Sequence, residues 1–241
     1  MSRRKLVVIM DPIESIKPHK DSSLAMLLEA QRRGWEIHYA QLQDIWLRDG
    51  EAFGRLTGVQ VADDRTEWFI PGDVAVTSLG EMDVILMRKD PPFDTQYVFA
   101  TYVLQRAEDH GALVVNGPQG LRDANEKAFM AWFPNCVPPT LITRSLEEMR
   151  TFVAEHRKVV VKPLDLMGGR SVFVTDIEDG NRNVILETVS DDGARYVMLQ
   201  KYLAEIVDSG DKRIILIDGQ PIPRALVRIP SPGDHRGNMD A

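Results

Sequence analysis

A single cysteine among 241 residues, Cys136, leaves no internal disulfide framework and fits a reducing compartment. It sits in "FPNCVPPT", with no histidine nearby to make it a nucleophile. Long hydrophobic runs are also missing. The opening "MSRRKLVVIMDP" places an apolar stretch behind basic residues, but that stretch stops at Asp11. It is too short for a signal-peptide core or a membrane span, so the expectation is a cytoplasmic protein. Positive charge is not in excess: 29 Lys and Arg against 36 Asp and Glu give a formal net charge of −7. There is thus no general basic field for nucleic acid or an anionic membrane. The common nucleotide motifs are absent too, with no G-x-x-x-x-G-K-[ST] and no G-x-G-x-x-G after the first strand. Any phosphate bound here is a small one, held by local lysines, arginines and backbone amides.

What is present reads as an ordinary globular chain, 44% hydrophobic and 27% charged, long enough for one large domain or two modest ones. Lys5–Met10 is a short apolar run ending at Asp-Pro, the pattern of a buried strand. A helix follows, with Asp21 or Ser22 as N-cap, Leu24, Leu27 and Leu28 on its apolar face, and Gly34 as its stop. "WEIHY" and "DVILMRKDPP" are further strands, Thr95–His110 is a helix stopped by Gly111, and "ALVVN" is a fourth strand. This alternation predicts a doubly wound parallel sheet over residues 1–124.

Beyond that boundary the pattern is α+β. A short helix is predicted at Glu126–Phe133, and another opens at Ser145, with Glu148 completing a capping box. Strands follow at Val159–Lys162, Ser171–Thr175 and Tyr196–Lys201, and a second boundary falls near residue 203. "KRIILIDGQPIPRALVRI" reads as two strands joined at Asp-Gly. No internal repeat is visible.

The informative stretch is "VVVKPLDLMGGRSVF". A lysine on a buried strand needs an anion, and glycines let backbone N–H groups approach a phosphate closely. The residues alone fit a glycine-rich turn beside an exposed lysine equally well. A second lysine, Lys127 in "LRDANEKAFMAWF", lies in the same half; lysines near helix starts are ordinarily solvated surface residues. Arg213 and Arg228 flank the hairpin turn. They fit either solvated strand arginines or braces for an oxyanion or a transferring phosphoryl group.

At these residues the sequence resembles a known family. "ILMRKDPPFDTQYVFATYVLQRAE", "LRDANEKAFMAWF", "VVVKPLDLMGGRSVF", "GDKRIILIDGQPIP" and "VRIPSPGDHRGN" are similar to the bacterial glutathione synthetases of the ATP-grasp superfamily, in matching order from about Lys5 to Asn238. The resemblance implies ATP-dependent ligation of γ-L-glutamyl-L-cysteine and glycine through an acyl phosphate. Other ATP-grasp carboxylate–amine ligases, or a nucleotide-binding remnant without turnover, are the alternatives. It implies that Lys127 and Lys162 contact ATP phosphates, Lys162 also lying near the adenine, and that Leu166–Ser171, with Gly168, Gly169 and Ser171, closes over them as a lid. Gln200 and the backbone of Lys201 and Leu203 would face the adenine edge, and Asp211 the ribose. Arg88 would hold the peptide substrate, and Arg213 and Arg228 would be catalytic. The small-molecule substrates would be the only partners besides further copies of the chain, with neither nucleic acid nor membrane involved.

Arg170 stands where the family often has a small residue. Family chains continue beyond "RGN" with the segment whose carboxylates and asparagine hold Mg²⁺, whereas this sequence ends at "MDA". No metal residue is therefore assigned: Asp240, a terminal residue, cannot supply paired ligands. The expected division is a substrate domain (1–124), a lid subdomain (125–203) and the start of a C-terminal ATP-grasp subdomain (204–241). The expectation follows that the last hairpin has uncovered apolar side chains and that turnover is absent in a chain ending at Ala241.

Overall fold

The computed structural model describes residues 3–89, 92–217 and 219–230. The chain divides into two compact units, Met1–Ala124 and Asn125–Ala241. In the first, β1 (Lys5–Ile9), α1 (Ser22–Arg32), β2 (Glu36–Ala40), β3 (Ile45–Arg48), β4 (Glu51–Val61) and β5 (Phe69–Ser78) precede β6 (Val84–Met87), α2 (Thr95–Asp109), β7 (Leu113–Val115) and α3 (Pro118–Asp123). The strands form one sheet ordered β3-β4-β2-β1-β6-β7, with β5 on β4.

The strands β2, β1, β6 and β7 are parallel, as the alternation predicts. Central β1 is apolar on both faces because both are covered. Val7 and Ile9 pack in a core with Leu104 of α2, while Leu6 and Val8 pack with Leu24 and Leu27 of α1. Asp21 caps α1 by accepting from Leu24 N–H at 2.8 Å, and Gly34, at φ 76°, carries the chain out of it. Asp94 caps α2 in the same way through Tyr97 N–H.

The sheet is mixed rather than wholly parallel, because β3, β4 and β5 add antiparallel pairs. No strand is predicted there from the sequence. The buried positions of β4 include the small residues Ala52 and Gly54, and β5 carries Pro71 and Gly72, which read as breakers but are tolerated on an edge strand.

The second unit contains β8 (Thr140–Thr143), α4 (Leu146–His156), β9 (Lys158–Pro163), β10 (Phe173–Asp176), α5 (Arg182–Ser190), β11 (Val197–Lys201), α6 (Glu205–Ser209), β12 (Asp211–Ile217) and β13 (Gln220–Arg228). An antiparallel sheet ordered β10-β9-β11-β8 carries α4 and α5 on one face. Val159, Val161, Val197 and Leu199 pack there against Met149, Val153 and Leu186. Strand alternation turns Lys162, Met198 and Gln200 to the opposite face.

Two local expectations need correction. The helix predicted at Glu126–Phe133 is a single 3₁₀ stretch, Ala128–Trp132. Its start is set by Asn125 Oδ1, which accepts from the backbone N–H of Lys127 and Ala128. The capping box at Ser145 is only half formed. Ser145 Oγ accepts from Glu148 N–H, but Ser145 N–H donates to Thr143 Oγ1.

The last two strands form their own two-stranded sheet, with Gly219 in its turn at φ 75°. Ile214, Ile215, Leu216, Ile217, Leu226 and Val227 are all large, apolar and exposed.

Candidate functional site

On the face of the four-stranded sheet opposite α4 and α5, the register of β9, β11 and β8 brings together residues far apart in sequence. Lys162 Nζ donates to Gln200 Oε1 at 2.7 Å, and Gln200 Nε2 donates to Thr140 Oγ1 at 2.9 Å. The hydroxyl of Thr140 in turn donates to the Pro138 carbonyl at 2.7 Å. Gln200 is only 6% exposed, so this chain of bonds satisfies a buried amide and fixes the lysine's direction.

The partner that Lys162 finds is neutral. Burial, and then the charge of Lys127, push its pKa below the ordinary lysine value. The structure thus brings Lys127 and Lys162 within electrostatic reach of each other. Lys127 Nζ donates to the Leu166 carbonyl at 2.5 Å and to Glu126 Oε1 at 2.9 Å. Its side chain is 15% exposed.

Leu166 opens the glycine-rich loop. Gly168 and Gly169 have φ values of 69° and 72°, left-handed conformations that glycine enters without strain, and Ser171 takes a φ of 54° beyond Arg170. Arg170 is exposed there, its N–H donating to the Met167 carbonyl. Asn125 fastens the base of the site, since Nδ2 donates to the Leu164 carbonyl at 3.2 Å.

Past Gln200, the Lys201 N–H donates to the Pro139 carbonyl, and Leu203 is exposed. On the hairpin, the Arg228 guanidinium and the Asp211 carboxylate pair across the strands, Nε lying 3.0 Å from Oδ1. Arg213, two residues from Asp211, is exposed on β12. Asp240 lies outside the described residues, as does the "DHRGN" stretch.

In the first unit, Arg88 directly follows β6. Its Nε donates to Ser23 Oγ at 3.1 Å and its Nη2 to Ser22 Oγ at 2.9 Å. Asp94 is occupied as the α2 cap. Asp90 lies outside the described residues. Neighbouring Lys89 meets Asp11 at 2.7 Å.

Nothing in the sequence pointed to Thr140, Asn125, Glu126 or Ser23 as site residues, and Ser22 was read only as an alternative N-cap of the first helix, a position that Asp21 takes. Thr140 could not be found that way, because only strand pairing places it beside Gln200. Asn125, two residues before a lysine, carried a turn-forming signature that could have been read. Among the described residues, no three His, Cys, Asp or Glu side chains gather to hold a metal ion.

Comparison with known proteins gives a consistent result. The model of the family described as "Prokaryotic glutathione synthetase, N-terminal domain" matches residues 5–122, and that of its ATP-grasp domain matches residues 126–241. The chain is 51% identical over 237 residues to a glutathione synthetase of Yersinia pestis, a match covering 98% of this chain and 74% of that protein. It is 50% identical to one from Escherichia coli O157:H7, over 98% and 75% of the two chains. Among solved structures, a D-cycloserine synthetase superposes with a TM-score of 0.58 at 18% identity, covering 94% of this chain and 72% of the other. An ATP-grasp ligase complexed with its precursor peptide and AMPPNP gives 0.52 at 20% identity, covering 93% and 72%. At such identities these two neighbours establish the ATP-grasp fold alone.

Proposed function

The chain belongs to the prokaryotic glutathione synthetase family, and we propose that the face built from Lys127, Lys162 and Gln200 is where it holds ATP. The observation that carries this reading is the pair of ammonium groups. Lys162 is directed by a neutral amide and disfavoured by the charge of Lys127. An anion arriving there relieves both burial and repulsion, and triphosphate oxygens beneath a glycine loop supply it.

Glutathione synthetases join γ-L-glutamyl-L-cysteine to glycine with ATP, giving glutathione, ADP and phosphate. A carboxylate oxygen of the peptide attacks the γ-phosphorus, and the bond to the ADP oxygen breaks. The glycine amine then attacks the acyl carbon, phosphate leaves, and the amine's surplus proton passes to solvent. In this proposal Lys127 and Lys162 hold the phosphates, and Gly168, Gly169 and Ser171 close over them to exclude water from the acyl phosphate. Gln200, with the backbone of Lys201 and Leu203, borders the adenine, and Asp211 meets the ribose. Arg213 and Arg228 stabilise charge on the transferring group, and Arg88 takes a carboxylate of the peptide.

Residues 125–203 would be the lid subdomain and 204–241 the start of the second ATP-grasp subdomain. Mg²⁺ is the ion that such chemistry calls for. The described residues offer no ligand set that fits it, so no step is assigned to it. Among the described residues no helix is long and apolar enough to cross a membrane. A cytoplasmic location and a homo-oligomer belong to the proposal.

Glutathione itself, detected by mass spectrometry, tests the reading. Peptide, glycine, ATP and Mg²⁺, or D-alanine in place of peptide and glycine in a parallel assay, would be given to this chain and to one extended at its C-terminus to the relatives' length. Glutathione with one phosphate per molecule supports it, in the extended chain or in both. Turnover only with D-alanine, or none in either, overturns it.

A further inference from the structure

The order of the first sheet places a topological switch between β1 and β6. The chain leaves β1 through α1 to β2 on one side, while β6 lies on the other. Open α/β sheets bind their ligands at the carboxyl ends of the strands at such a point. Arg88 stands there, its N–H bonded to the Ile9 carbonyl at 2.7 Å.

Two features of its surroundings are unusual. First, the one carboxylate at the end of β1, Asp11, is held by Lys89 at 2.7 Å. Among the described residues no carboxylate meets Arg88, and its side-chain partners are the neutral hydroxyls of Ser22 and Ser23. Second, those serines are not needed to start the helix. Asp21 already caps α1, which frees both hydroxyls. Ser23 is nevertheless 5% exposed, a buried polar side chain directed at a guanidinium.

We infer that Ser22 and Ser23 are positioning residues for substrate recognition. They occupy the Nε/Nη2 side of Arg88 and so aim its terminal Nη1/Nη2 edge at a carboxylate of the peptide. A guanidinium held by neutral acceptors keeps its full charge for an incoming anion and is already oriented when that anion arrives. The inference rests on the reading of Arg88 as a peptide-binding residue.

The test is calorimetric titration of this chain with γ-glutamylcysteine, in the parent, in Ser22→Ala with Ser23→Ala, in Arg88→Ala, and in all three changes combined. Removing the serines should weaken peptide binding about threefold to tenfold, the size of losing hydrogen bonds that orient a charged group. In the Arg88→Ala background the same change should cost nothing further, because the serines act only through the guanidinium. Ser22→Thr should restore affinity by restoring a hydroxyl. ATP affinity should stay with the parent, whereas a role limited to bracing α1 would lower the thermal midpoint with no selective loss of peptide affinity. Equal losses in both backgrounds, or no loss in either, overturn the inference while leaving Arg88 in place. If Arg88→Ala itself binds peptide like the parent, or the parent binds none, the reading of Arg88 falls and this inference with it.

Discussion

Lys162→Met removes a charge while keeping most of the stem, and its effects on folding and on binding separate. In the free protein, burial and Lys127 disfavour the ammonium, so methionine relieves an electrostatic cost. Against this, Gln200 Oε1 loses the donor 2.7 Å away and is left unsatisfied in a buried residue, at about 1–3 kcal/mol. The two terms oppose each other, and stability should change by no more than about 1 kcal/mol, roughly 2–4 °C for a chain of this size. Nucleotide binding has no such offset. A charged hydrogen bond to phosphate contributes about 1.5–3 kcal/mol, so ATP affinity should fall roughly 10- to 150-fold in a calorimetric titration. The pH dependence provides a second arm. Since the folded pKa is depressed, the unfolded chain holds a proton that the folded chain lacks between that value and the ordinary lysine pKa. The contribution of Lys162 to stability therefore rises with pH across that window. Phosphate favours the charged form, so ATP affinity should fall over the same window with proton uptake on binding. Lys162→Arg, charged throughout, should flatten that slope. An ATP affinity within twofold of the parent in Lys162→Met would refute the reasoning.

Asn125→Ala removes the acceptor shared by Lys127 and Ala128 N–H and the tie to Leu164, and should weaken ATP binding about threefold to tenfold, while peptide affinity, measured separately, stays constant. Gly210→Ala forces φ 62° on an L-residue and drives a Cβ into the Arg228 carbonyl, so hairpin amides should exchange faster, with a loss above about 1 kcal/mol. Leu104→Ala opens a cavity under α2, where the side chain is 0% exposed, and should cost about 2–5 kcal/mol by denaturant titration.

Much of this architecture was legible because it is carried by local rules. The apolar run at Lys5–Ile9, the Asp21 cap and the stop at Gly34 are each written in a few adjacent residues. The antiparallel strands β3 to β5 were not, since small residues and a proline disguise a period-two pattern whose meaning depends on which edge they join. At the candidate site, the lysines and glycines could be named from their motifs. What the motifs could not supply was the link from Lys162 through Gln200 to Thr140, because strand register places these residues side by side. For the same reason the bonds of Ser22 and Ser23 to Arg88 went unread: their partner is more than sixty residues away.

In the proposed site Lys127 and Lys162 face the phosphates of one nucleotide. An adenosine polyphosphate ending in pyridoxal tests this placement directly, since its aldehyde forms an imine with a nearby neutral amine and borohydride fixes the bond. The depressed pKa of Lys162 favours that neutral form. After digestion, mass spectrometry should find the label on Lys162 or Lys127, and excess ATP should abolish it. Label confined to other lysines, or undiminished by ATP, would contradict the account.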